Sequence, residues 1–237
     1  MDAEEPRSLF WDYSDLLLFV CLAVPSFLLG VGIVRGMLMV APSLLPGKAA
    51  RLLTGEFIGW AVWLGSLAFL LRARYQRTFW SAMSWNLNAG NVFPSLSTGV
   101  LLALAVALIG TLLRTPTTDN ALLELMNSRI SILVIAFFAT TLGPLCEELA
   151  FRGFLLPLLI RTLGSIPGVL FSALPFALLH GPQYNWSWQH LLLLTTVGCI
   201  FGWTRYKTGS TGIPTLMHAS YNAVFMGAVI ASKREYF

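Results

Sequence analysis

Two adjacent carboxylates and an arginine are the residues best placed to do chemistry. From Leu125 to Arg234, Glu147 and Glu148 are the only acidic residues, and Arg152 follows them in an otherwise apolar stretch. An ionisable group at membrane depth costs about 2.5–3.5 kcal/mol on insertion scales, so it is a functional candidate by default. Neighbouring residues on a helix point about 100° apart, so Glu147 and Glu148 cannot serve one partner equally. Glu148 and Arg152 are spaced i,i+4 and can pair. Glu147 is then the free, partly desolvated carboxylate, suited to general-base work. The competing reading is an interfacial salt bridge at a helix end without catalysis.

All three histidines fall in the same half of the chain. His180 closes the segment Phe176-Ala-Leu-Leu-His180, and His218 and Asn222 are spaced i,i+4 on the last apolar run. Asn222 can orient an imidazole or donate beside it to a developing oxyanion. Each of these is ordinary alone. Together, on three apolar segments, they call for one shared wet cavity. His190 follows Trp188 at the head of a span, where an aromatic-belt role is expected and a catalytic one is not. There is no H-E-x-x-H helix. Glu147, His180 and His218 could hold zinc with an open water position, but a metal-free carboxylate–imidazole mechanism is favoured, because Asn222 reads better as an oxyanion donor than as a zinc ligand. Cys146 lacks the basic surroundings of a reactive thiol and reads as packing.

The elements that must carry these residues are transmembrane helices. Of 237 residues, 56% are hydrophobic and 11% charged, less than half the roughly 25% of soluble domains. Mean hydropathy is +0.72. This excludes a disordered chain, a coiled coil and an ordinary soluble enzyme. The predicted fold is all-α, a polytopic bundle of about seven spans, or eight if an interfacial helix is counted. The predicted spans are Leu16 to Val34, kinked at Pro25, Phe57 to Leu71, Leu96 to Leu113, Ile130 to Cys146 with apolar character resuming to Ile160, Ile166 to His180, Leu191 to Trp203, and Ile213 to Ala231. Glu56 is expected at the head of the second span, as an interfacial or helix N-terminal carboxylate. Thr78 to Asn91, rich in Trp and Asn, reads as interfacial. Arg114 to Asp119 is expected as a loop, and Ala121 to Arg129 as a short surface helix.

The acidic start of the chain, with Asp2, Glu4 and Glu5 against Arg7, is unlike the basic n-region of a secretory signal, so the first span is expected to be retained. Three cysteines without paired spacing give no disulfide framework. The net charge of +4 is scattered between spans rather than gathered in a stripe, which argues against nucleic acid. Lys and Arg divide equally between the two sides, so the positive-inside rule leaves orientation open.

Three motifs carry a family resemblance. Glu147-Glu148-Leu-Ala-Phe-Arg152 matches E-E-x-x-x-R, Phe176 to His180 matches F-x-x-x-H, and His218-Ala-Ser-Tyr-Asn222 matches H-x-x-x-N. In order, over roughly Ile130 to Ala231, they resemble the CAAX protease and bacteriocin-processing (CPBP, or Abi) family of intramembrane endopeptidases, which includes the CAAX prenyl endopeptidases. Lys207-Thr-Gly-Ser210 resembles the family's R-T-G-S lead-in, with Lys for Arg. The resemblance implies that Glu147 and His180 activate water, that His218 and Asn222 stabilise the oxyanion, and that Glu148 and Arg152 support the site. It implies a membrane-bound peptide or protein substrate, prenylated or transmembrane, and the lipid bilayer as surroundings. It divides the chain into variable N-terminal spans, 1–129, and a catalytic core, 130–237, within one structural domain.

The compact chain with short loops suits a prokaryotic cytoplasmic membrane. The rival classes are a zinc-dependent version of the protease, a proton-coupled transporter, a non-catalytic scaffold and a thiol peptidase. A transporter would be expected to show inverted repeats, and none is visible.

Overall fold

A computed structural model of the chain describes residues 10–117 and 121–237. Asp2, Glu4, Glu5, Arg7 and Asp119 lie outside the described residues. All regular structure among the described residues is helical. In chain order the helices are α1 (Tyr13–Val40), α2 (Gly47–Tyr75), α3 (Phe79–Ala82), α4 (Ala89–Leu112), α5 (Ala121–Leu125), α6 (Arg129–Thr140), α7 (Leu142–Glu148), a π-helical turn (Leu149–Leu155), α8 (Leu156–Leu163), α9 (Ser165–Leu179), a 3-10 turn (Gly181–Tyr184), α10 (Trp188–Thr208) and α11 (Gly212–Ser232), with a final 3-10 turn at Arg234–Tyr236.

Among the described residues, five stretches are long and apolar enough to cross a membrane: α1, α2, α4, the run from α6 through α8, and α11. Helix α9 is apolar but has only 15 residues. Helix α10 has 21 residues but does not reach the apolarity of the five. The seven expected spans are present in order as helical runs, of which these five have the length and apolarity of a span. Large apolar side chains such as Leu28, Phe69, Leu101, Leu112 and Ile166 are exposed. A soluble monomer rarely shows so much apolar surface, and here lipid covers it.

Several boundaries differ from the sequence reading. Helix α1 runs past Arg35 and through Pro25 without a break, and Ser26 donates to the Leu22 carbonyl at 2.7 Å. Helix α2 starts ten residues before the expected span, because Lys48 and Arg51 continue the helix rather than a loop. Glu56 therefore lies in the third turn of α2, not at its head. The fourth span is broken at Thr141, between α6 and α7.

Close helix crossings hold the bundle. A Cβ at Gly30 would strike the backbone of Gly55, so α1 and α2 touch main chain to main chain. Gly99 meets the backbone of Met217 in the same way, which seats α4 against α11. Small residues at such crossings are the usual route to helix association in lipid. Around α1 and α2 an aromatic cluster forms, with Phe19 stacked on Trp63 at 4.3 Å and Trp11 on Phe154 at 5.4 Å. The indole N–H groups donate to backbone carbonyls, Trp63 to Phe19 at 2.6 Å and Trp11 to Phe154 at 3.2 Å. The second contact ties the start of the chain to the π-helical turn that follows the glutamates.

Candidate active site

Glu147 and Glu148 end α7, and Arg152 lies in the π-helical turn directly after them. A π-turn widens the helix by one residue and is frequent at functional sites. Here it still leaves Glu148 and Arg152 on one face: Arg152 Nη1 donates to Glu148 Oε1 at 2.9 Å, and both side chains are fully buried. The i,i+4 pairing expected from sequence is present. Arg152 Nη2 also donates to the Gly198 carbonyl of α10 at 3.0 Å. Its guanidinium stacks over the Phe176 ring, 4.5 Å from the centroid. The charge is thus shared among a carboxylate, a carbonyl and an aromatic face, which is how a buried arginine is made tolerable.

His218 comes from α11 and closes the group. Its Nδ1 lies 3.0 Å from Glu148 Oε1, and its Nε2 lies 3.9 Å from Glu147 Oε2. Glu148, paired with Arg152, is an acceptor only, so Nδ1 carries a proton. Nε2 is thereby aimed at the freer carboxylate. Glu147 keeps 23% of its side-chain surface exposed, against none for Glu148. Oε2 of each glutamate and Nε of Arg152 are buried without a hydrogen-bond partner.

His180 caps α9, and its Nδ1 lies 2.8 Å from the Phe176 carbonyl one turn back. A carbonyl only accepts, so Nδ1 holds the proton and Nε2 presents a lone pair. Phe176 joins the two histidines: its centroid is 4.9 Å from His180 and 5.9 Å from His218. The phenylalanine of the second motif is therefore a spacer between the imidazoles and a platform for Arg152. His190 stands apart, stacked on Tyr184 at 4.5 Å. Cys146 is buried in the aromatic cluster, and all three cysteines are free.

Asn222 is the one motif residue drawn elsewhere. Its Nδ2 donates to the Ala139 carbonyl at 2.8 Å, one of the groups left open where α6 ends before the break. The amide has a second N–H, and the bond to Ala139 fixes its plane. The lead-in to the third motif is also anchored. Ser210 Oγ donates to the Asn86 carbonyl, Thr211 Oγ1 to Met83 at 2.6 Å, and Thr211 N to Ser84 at 3.1 Å. This latches the start of α11 to the Trp- and Asn-rich segment after α3.

Sequence reasoning missed two features. One is the contact between His218 and Glu148, residues 70 apart in the chain. The other is the place of Glu56, half-buried within α2 rather than at its head. Its signal was present, as a lone acid within an apolar helix, and was lost when the helix start was placed too late. Among the described residues, no three His, Cys, Asp or Glu side chains are grouped to hold a metal ion.

Residues 129–224, less than half of the chain, match the model of a protein family described as type II CAAX prenyl endopeptidase Rce1-like. The match covers all three motifs and agrees with the CAAX protease resemblance read from them. No curated protein and no solved structure matches the chain.

Proposed function

We propose that the chain is a metal-free intramembrane endopeptidase that hydrolyses a peptide bond of a membrane-anchored substrate, prenylated or transmembrane. The observation that carries this reading is the bond from His218 to Glu148, which turns Nε2 toward Glu147, the less buried member of the carboxylate pair. A buried salt bridge alone would need no such third partner.

In this reading a water sits between Glu147 and Nε2 of His180. Glu147 accepts one proton as the water oxygen attacks the carbonyl carbon. The oxyanion is held by His218 Nε2–H and by the second N–H of Asn222, whose plane Ala139 has fixed. Such preplaced donors are worth about 10²–10³ in rate each. Glu148 stabilises the positive charge on His218, and Arg152 keeps Glu148 ionised and in place. Glu147 then gives its proton to the leaving amine and the C–N bond breaks. The remaining hydroxyl proton passes to His180 Nε2, leaving a carboxylate product.

The test uses purified protein in lipid vesicles with a membrane-anchored peptide, cleavage being read by mass spectrometry. Glu147→Ala abolishes cleavage, and EDTA leaves the wild-type rate unchanged. Normal cleavage by Glu147→Ala overturns the assignment. Loss with EDTA, restored by stoichiometric zinc, overturns the metal-free mechanism while keeping the protease.

A further inference from the structure

A cavity of about 430 Å³ lies between α5, the 3-10 turn after His180 and the second half of α11, and the mechanism above leaves it without a task. Ligand pockets run from about 300 to 1,000 Å³. The lining is mainly apolar, with Met126 from α5, Tyr184 from the turn, and Phe225, Met226 and Ala228 from α11, and Gln183 adds a polar group. Its walls are held in place. Met126 packs with Met226, Ile132 and Ile135, and its carbonyl accepts from Lys233 Nζ at 2.9 Å. The Tyr184 ring stacks on His190 at 4.5 Å, which gives a structural task to the one histidine outside the chemistry.

Two contacts make the cavity continuous with the site. His218, Asn222, Phe225 and Met226 follow one another at i, i+4, i+7 and i+8 on α11, the spacing of a single helix face. At 1.5 Å per residue, Met226 stands about 6 Å along the axis from Asn222. From the other side, the Gln183 N–H donates to the His180 carbonyl at 3.1 Å, so this wall starts directly at the second histidine. Helix α9 has only 15 residues and ends short of a full span. Irregular backbone at membrane depth is tolerated where it lines a cavity or is buried in protein, and the turn after His180 does the first.

We infer that this cavity receives a large apolar side chain of the substrate next to the scissile bond, and that Phe225 and Ala228 determine which side chains fit. This rests on the protease reading above. A bulky residue fills the space, whereas alanine leaves it empty, and one methylene in an apolar pocket is worth about 10- to 200-fold.

The experiment measures kcat/KM in vesicles for membrane-anchored peptides that differ only in the residues flanking the cut. The wild type cleaves the leucine peptide at least about 10-fold better than the alanine peptide. Phe225 and Ala228 are both exposed, so variants there leave the packed core intact. Ala228→Trp fills the cavity: it loses the preference for leucine, and its undiminished rate on the alanine peptide shows that it is folded. Phe225→Ala widens the cavity and raises the preference for tryptophan over leucine. An equal loss on every peptide in either variant, or an unchanged preference in both, overturns the inference. A rate in Ala228→Trp that follows the acyl-chain length of the vesicle and not the peptide assigns the cavity to lipid and overturns it too. A wild type that cleaves all peptides equally removes the inference alone, whereas a wild type that cleaves none removes the protease reading and the inference with it.

Discussion

Two fully buried carboxylates, Asp15 in α1 and Glu148 in α7, pair with arginines, and they are built to opposite plans. Asp15 is saturated. Arg74 Nη1 donates to Oδ1 at 2.6 Å, Tyr75 Oη to Oδ2 at 2.5 Å, and the Asp12 backbone N–H to Oδ2 at 3.0 Å. Arg74 keeps 49% of its side chain exposed, so its charge stays partly solvated. Glu148 instead loads both partners onto Oε1 and leaves Oε2 bare, beside an arginine with a bare Nε and a second glutamate with a bare oxygen. Buried polar atoms are normally satisfied, and each exception needs a reason. The saturated pair pins the ends of α1 and α2 together. The unsaturated one keeps spare hydrogen-bonding capacity, which the proposed reaction would use for a water and a peptide.

The contrast is tested first where the effect is largest. Glu147→Ala should lower cleavage by about 10³-fold or more with little loss of thermal stability in detergent, since it removes an oxygen that makes no hydrogen bond and only a long 3.9 Å contact with His218. A parallel fall in stability would mean that Glu147 is a packing residue like Asp15. Next, Arg152→Ala leaves the buried Glu148 with His218 as its remaining partner, and breaking a buried pair costs about 3–5 kcal/mol. Denaturant or thermal unfolding in detergent should show a shift of that size. Asp15→Ala should cost less, about 1–3 kcal/mol, because Arg74 can turn to water. Its folded fraction should cleave at the wild-type rate, and a catalytic loss there would break the division between the two pairs. The smallest effect is expected at Cys146→Ser, which should retain activity in the same assay. An inactive but folded Cys146→Ser would move the chemistry onto the thiol.

Local spacing made the core of the site legible from sequence. Glu148 with Arg152, and Phe176 with His180, are each one helical turn apart, so period alone places them together. His218 and Asn222 are also one turn apart, but spacing gave no sign that Asn222 also donates to the Ala139 carbonyl near the end of α6, a contact made across the bundle. The π-helical turn has no composition of its own, so nothing in Leu149–Leu155 announces it. Contacts between distant segments, His218 with Glu148 and Ser210 with Asn86, depend on how the helices cross. Those crossings were hidden in single glycines, Gly30 and Gly99, whose missing side chains are a weak signal in a chain with 20 glycines. The start of α2 was misplaced because Lys48 and Arg51 resemble a connection, although long basic side chains near a helix end reach the headgroups readily.

Helix α9, with its 15 residues, rises about 22 Å, well short of a hydrocarbon layer of about 30 Å. His180 sits at its end, beside the exposed Leu178 and Leu179. Lipid next to this helix must thin to meet it, at a cost of fractions of a kcal/mol per Å of mismatch. A helix this short calls for a locally thinner bilayer at the end that carries His180. Acyl-chain length becomes a regulator: vesicles of short-chain phospholipid should support faster turnover than long-chain ones at the same substrate density.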